Sequence, residues 1–83
     1  MQPFTVIFMS LDRENFLKKL GATVKKHRQV LGISQEQFAN QYELGRAYYG
    51  NIEQGRVNVS IFKLHQICQH LEIDISTLFQ DIK

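Results

Sequence analysis

The segment "SQEQFANQYELGRAYYGNIEQG", residues 34–55, decides the fold. Ser34 and Gln37 stand three positions apart, the spacing at which two side chains cap the start of a helix reciprocally. After "YEL" at 42–44, a second helix is expected from about Arg46 to Gln54. Gly55 then occupies the position at which a helix commonly ends. The segment therefore predicts two short helices joined by a tight turn.

The glycines of this segment have the spacing of a nucleotide-binding loop but lack its other residues. Gly45 and Gly50 satisfy G-x-x-x-x-G. A phosphate-binding loop continues with Lys and then Ser or Thr, whereas Asn51 and Ile52 follow here. The residues before Gly45 have a helical pattern, so no strand leads into it. This argues against a nucleotide loop and indicates that the glycines shape the second helix.

The rest of the chain has the apolar spacing of short helices. Helix one is expected to begin near Asp12 and Glu14, whose charge suits a first turn, and to end at Gly32. Ser60 and Asp74 are expected to cap helices four and five. Strand signals are confined to "FTVIF" at 4–8. The fold class predicted is a compact all-α, five-helix domain of the lambda-repressor-like kind, containing a helix-turn-helix.

Composition and charge limit the function. The chain has 83 residues, a single cysteine and a net charge of +2, so it is expected to form one domain without internal disulfides. Its apolar runs are too short to cross a membrane. Basic residues concentrate at 13–28 and acidic ones in the last twelve positions. This asymmetry fits either a surface that meets a polyanion or an ordinary solvated helix face.

The second helix of the pair has one face suited to reading DNA. At about 100° per residue, Tyr49 and Ile52 share the face that packs inward, and Glu53 borders it. The outer face carries hydrogen-bonding ends together with two residues that have almost no side chain, so that it can approach base edges closely. We expect base contacts from Arg46, Ala47, Gly50 and Asn51, with Gln54 beside them and Tyr48 at the edge toward a phosphate.

One ion pair is predicted within the domain. Arg28 lies at the edge of the apolar stripe of helix one, one turn after Val24. A partly buried arginine requires a carboxylate partner. Glu53, at the border of the inner face of the second helix, is the natural partner, and the pair would join helix one to helix three.

Residues 32–79 resemble the Cro/C1-type (XRE) helix-turn-helix transcriptional regulators of phages and bacteria. The resemblance is carried by "SQE" at 34–36, Phe38-Ala39, "IEQG" at 52–55, Ser60 and the closing Leu78-Phe79. Within that family, the short length and "RAYYGNIEQG" look most like restriction-modification controller proteins. The chain departs from the family pattern at Glu43, where Gly or Asn is usual, and at Val59, where Pro is usual.

The resemblance implies binding to a two-fold symmetric operator as a homodimer through the C-terminal helix region. It implies that Gln35 contacts a phosphate or braces Arg46, and that Ser34, Asn58 and the start of helix four hold backbone phosphates. Tyr48 completes the predicted backbone contacts, and Leu78 and Phe79 are the predicted dimer interface.

DNA binding has two alternatives, an enzyme with a metal site and a helix-turn-helix domain that contacts a protein. "HQICQH" contains His65, Cys68 and His70, but on a helix His70 points away from His65, and a zinc site needs three or four converging ligands. Cys68 also lies on the apolar stripe and is expected to be a core residue. The second alternative is an antitoxin or phage-type repressor whose helix-turn-helix also contacts a protein partner.

Together these observations predict a cytoplasmic, sequence-specific DNA-binding regulator rather than an enzyme. Residues 1–10 are expected to be an N-terminal arm or an extension before a start at Met9, and residues 11–83 a single helix-turn-helix domain. The expected partners are double-stranded operator DNA and a second copy of the chain. No cofactor, metal, membrane contact or small-molecule effector is expected.

Overall fold

The computed structural model describes the backbone of residues 3–82 and the side chains of residues 12–82. It contains five helices and no strand within that range. They are α1 (Pro3–Val30), α2 (Gln35–Gln41), α3 (Arg46–Glu53), α4 (Ile61–His70) and α5 (Ile75–Asp81). The predicted all-α, five-helix class is therefore confirmed.

Helix α1 begins earlier than the sequence pattern indicated. It starts at Pro3, so Asp12 and Glu14 lie within the helix and not in its first turn. Proline is compatible with the first helical position because the missing N–H would have no partner there. Residues 4–8, which carry strand signals, have helical backbone. The expected arm or start-site extension falls partly outside the described residues and stays a prediction.

The other helices begin and end where the sequence predicts. Ser34 Oγ accepts a hydrogen bond from the Gln37 backbone N–H at 3.0 Å, and Gln37 Oε1 accepts one from Ser34 N–H at 2.9 Å. Ser60 Oγ accepts from Lys63 N–H at 3.1 Å and caps α4. Asp74 occupies the position before α5, but its side chain makes no capping hydrogen bond.

The core lies where α3 packs against α1 and α2 and α5 packs against α1 and α4. All of the helices contribute apolar side chains to it, and burial of that surface is the main stabilising contribution to such a domain. The buried apolar residues are Leu20, Val24, Phe38, Ala39, Tyr49, Ile52, Leu64, Ile67, Cys68, Leu71 and Leu78.

The position of Leu78 corrects one sequence prediction. Leu78 was expected at a dimer interface, but its exposed fraction is 0% in the single chain, whereas that of Phe79 is 41%. Adjacent helix positions differ by about 100°, so only one of the two can face the core. Leu78 is a core residue, and of these two residues only Phe79 has surface available to a partner.

Candidate DNA-reading surface

The connection between α2 and α3 sets the position of the second helix. Glu43 adopts a left-handed conformation, with φ of 56°, in the turn where relatives of the resembled family have Gly or Asn. Gly45 precedes α3 with φ of 78°, and Gly55 follows it with φ of 74°. The turn thus takes the conformation expected of it even though Glu43 has a β-carbon, which makes this conformation unfavourable.

The inner face of α3 is attached to the rest of the domain by a buried ion pair. Arg28 and Glu53, expected from the sequence to pair, form two hydrogen bonds, Nε to Oε2 at 2.7 Å and Nη2 to Oε1 at 3.1 Å. Arg28 Nη1 also donates to the carbonyl oxygen of Ile33 at 2.7 Å. The pair joins the end of α1 to the end of α3 and to the segment before α2.

The two charges hold each other ionised. The hydrogen bond to Glu53 raises the pKa of Arg28, although burial opposes this. Burial raises the pKa of Glu53, but the hydrogen bonds it accepts from Arg28 and Gln35 outweigh burial, so that its pKa lies below the ordinary value. Glu53 is therefore a carboxylate at neutral pH, as the arginine beside it requires.

Gln35 connects α2 to this ion pair and gives Gly50 a packing role. Its Nε2 donates to Glu53 Oε1 at 3.0 Å. Its Oε1 would lie 3.2 Å from a β-carbon placed at Gly50, so an alanine there would crowd Gln35. Glycine inside a helix costs roughly 1 kcal/mol relative to alanine. The close approach of Gln35 is a structural reason for that cost, in addition to the slim outer face expected from the sequence.

The outer face of α3 is open to solvent. Arg46 and Ala47 are exposed, and Gly50 and Asn51 are partly exposed. Arg46 does not contact Gln35, as one expectation had it; its Nη2 lies 3.2 Å from Oε1 of Glu36. Both side chains of this pair are more than 60% exposed, and such surface pairs contribute little to stability. Arg46 is therefore free to exchange Glu36 for another partner.

The residues predicted to contact the DNA backbone all have surface open to solvent. Ser34, Tyr48 and Asn58 are exposed and Gln35 is partly exposed. The Ser34 oxygen accepts the capping hydrogen bond, but its hydroxyl hydrogen remains available for donation. These positions are compatible with phosphate contacts.

Comparison with known proteins identifies this arrangement. Residues 19–78 match the family described as "Helix-turn-helix domain". The chain belongs to that family.

Individual relatives define the relationship more specifically than the family does. The chain is 44% identical to the control protein C.MunI from Mycoplasma sp over 66 residues, which cover 78% of this chain and 89% of that protein. The crystal structure of the restriction-modification controller protein C.AhdI from Aeromonas hydrophila matches with a TM-score of 0.70 and 35% identity, covering 76% of this chain and 96% of that one.

A third relative has been solved on DNA. The controller protein C.Esp1396I, as a tetramer with its natural 35 base-pair operator, matches with a TM-score of 0.69 and 31% identity, covering 81% of this chain and 93% of that one. The chain is thus homologous to restriction-modification controller proteins and is a helix-turn-helix transcriptional regulator. The family resemblance inferred from residues 32–79 is confirmed.

The histidine and cysteine motif of α4 does not converge in this family member. Cys68 is buried in the core, where burial raises the pKa of its thiol. The ring of His70 stacks on Tyr42, with centroids 3.8 Å apart, and His65 is exposed. Among the described residues, no group of three or more potential metal ligands comes together. Within the same range no helix is both long and apolar enough to cross a bilayer.

The sequence reasoning missed the connection of Gln35 to the ion pair and the contact between Glu36 and Arg46. The first could have been found from spacing, since Gln35 begins α2 on the side that faces α3. The second carried no signal, because Glu36 reads as an ordinary first-turn acid.

Proposed function

We propose that this protein is a controller-type regulator that binds a two-fold symmetric operator as a homodimer through the outer face of α3. The observation that carries the proposal is the division of α3 into two faces. Tyr49, Ile52 and Glu53 are buried against the domain, whereas the face around Arg46 is open and lies on a helix joined to α1 by the buried ion pair. A fixed helix with a free polar face is what major-groove reading requires.

The outer face offers chemistry for more than one base. Arg46 can form two hydrogen bonds to guanine, Asn51 can pair with adenine, and the Ala47 methyl group can contact a thymine methyl. Gly50 lets the helix approach the base edges between them. Ser34, Gln35, Tyr48 and Asn58 would contact backbone phosphates and fix the register of the helix without reading sequence.

The small area that one copy can bury on DNA favours binding as a homodimer. A single module of this size buries only roughly 600–1,000 Å² on DNA, so two copies on half-sites about one helical turn apart would provide useful affinity. Phe79 is exposed on α5 and borders a groove with Phe16 of α1 and with Ile82. It is the residue through which we expect the two copies to meet.

In this proposal the protein acts in the cytoplasm, where its target DNA lies, and performs no catalysis. Its relatives are regulators, and its response would come from its own concentration and from operator occupancy. The similarity to C.MunI, C.AhdI and C.Esp1396I supports a role beside a restriction endonuclease and its methyltransferase.

Selection of binding sites from a random duplex pool, at about 50 and 200 mM salt, tests this function. We expect a two-fold symmetric motif whose half-sites are centred about ten base pairs apart. Affinity should fall steeply with salt because bound counterions are released. Absence of enrichment at both salt concentrations would contradict the proposal, as would a motif without symmetry.

A further inference from the structure

Helix α1 and the end of α3 approach each other unusually closely. A β-carbon placed at Gly21 would lie 2.4 Å from the carbonyl oxygen of Ile52, and one at Gly55 would lie 2.6 Å from the Cα of Lys18. Two glycines thus permit direct backbone contact between the helices. The consequence is that Arg56, directly after Gly55, is fixed beside α1.

A basic cleft lies at this junction. We give this name to the cleft of about 510 Å³ lined by Arg13, Glu14, Leu17, Lys18, Gly55 and Arg56. Three of its six lining residues are cationic and one is acidic. Arg13, Lys18 and Arg56 are all exposed. Among residues 12–82, none of the three has its charged nitrogen within 4.0 Å of a carboxylate.

The position of the basic cleft relates it to DNA. A reading helix lies in the major groove, between the two sugar-phosphate strands that border it, so a basic residue just beyond the end of the helix can reach a phosphate. Arg56 is two positions beyond Gln54, the last exposed residue of that helical turn.

We propose that the basic cleft binds DNA backbone phosphates beside the end of α3 at each half-site. Arg56, Lys18 and Arg13 would extend the contact from the end of α3 along α1. Arg13 and Lys18 precede residues 19–78, so this part of the site lies outside the region matched by the helix-turn-helix family. This inference rests on the proposed function and adds a second contact surface to it.

A matched pair of charge-removing variants tests the cleft. Lys18→Gln removes a cleft cation, and Lys26→Gln makes the same change on the same helix at an exposed residue that does not line the cleft. Both are compared with wild type on the selected duplex across a series of salt concentrations. Thermal melting followed by circular dichroism verifies that each variant is folded.

We expect Lys18→Gln to lower the slope of log affinity against log salt by about 1.8, because each of the two copies loses one phosphate contact worth about 0.9. Between about 50 and 200 mM salt, this makes the loss of affinity about 12-fold smaller than in wild type. Lys26→Gln should leave the slope close to that of wild type. Equal slopes for the two variants would overturn the cleft while leaving the proposed function intact.

A second measurement locates the contact on the DNA. In separate duplexes, uncharged methylphosphonates are placed on one flank or the other of each half-site. On the flank that the cleft contacts, they should weaken binding by wild type and Lys26→Gln equally and weaken binding by Lys18→Gln less. The same loss for all three proteins would refute the cleft as the site of contact. If wild type itself selects no duplex, the proposed function fails and the cleft proposal fails with it.

Discussion

The substitution Glu53→Gln tests how the reading helix is held. It keeps the shape of the side chain but removes the charge that faces the guanidinium of Arg28, at 2.7 Å from Nε. The side chains of Arg28 and Glu53 are only 7% and 1% exposed, so water cannot replace the missing partner. The remaining arginine charge would be buried without compensation, which is the costly case for an ion pair.

The expected loss in the free energy of unfolding is about 3–5 kcal/mol, the range for breaking a buried pair. A domain of this size is typically stable by only about 4–12 kcal/mol, so the change is a large part of the total. At about 4–8 °C per kcal/mol for a small domain, the midpoint of thermal unfolding should fall by more than about 12 °C. Circular dichroism at one fixed protein concentration measures this, because dimerisation makes the midpoint depend on concentration.

Two further variants make the comparison decisive. Glu36→Gln removes the same charge from the exposed pair with Arg46 and should cost less than about 1 kcal/mol. Combining Glu53→Gln with Arg28→Met removes the unpaired charge and should restore part of the lost stability. If Glu53→Gln melts at the same temperature as Glu36→Gln, the reasoning about the buried pair is wrong.

Further outcomes are expected for the turn, the reading face, the C-terminal helix and low pH. Glu43→Gly should stabilise the domain by up to about 1 kcal/mol by relieving its left-handed backbone, and a lower melting temperature would speak against strain at this position. Arg46→Ala should cost about 1–3 kcal/mol of discrimination between operator and unrelated DNA while keeping weak, salt-sensitive binding; competition titrations measure it, and unchanged preference would remove Arg46 from the reading face. Phe79→Ser should weaken self-association without unfolding the chain, and sedimentation showing an unaltered dimer would place the interface elsewhere. The pKa of Glu53 lies below its ordinary 4.5 in the folded chain, so the unfolded chain binds its proton first and wild type should lose stability as pH falls below about 4.5. The difference in stability between wild type and Glu53→Gln should therefore shrink at low pH, and a constant difference down to about pH 3 would contradict the shift.

Much of the site follows from residue types and their spacing alone. Local rules place the cap at Ser34, the end of α3 at Gly55 and the division of α3 into two faces, because each depends on hydrogen bonds or side-chain directions within a few residues. The pairing of Arg28 with Glu53 was also predictable, since a buried guanidinium needs a carboxylate and few candidates face inward.

The remaining features depend on which helices meet in space. In the seven-residue α5, the sequence pattern offers both Leu78 and Phe79 as apolar surface, and only packing against α1 and α4 assigns Leu78 to the core. The packing constraint on Gly50 likewise depends on Gln35 of α2, which lies beside it.

The sequence by itself determined the all-α class, the helix-turn-helix and the exposed outer face of α3, because helical period and capping are local properties of the chain. The tertiary structure decided which cations come together. Arg13 and Lys18 are far from Arg56 in sequence, and only the glycine-permitted contact of α1 with the end of α3 joins them in one basic cleft. Such a contact depends on the distance between two backbones, which no spacing along a single helix encodes.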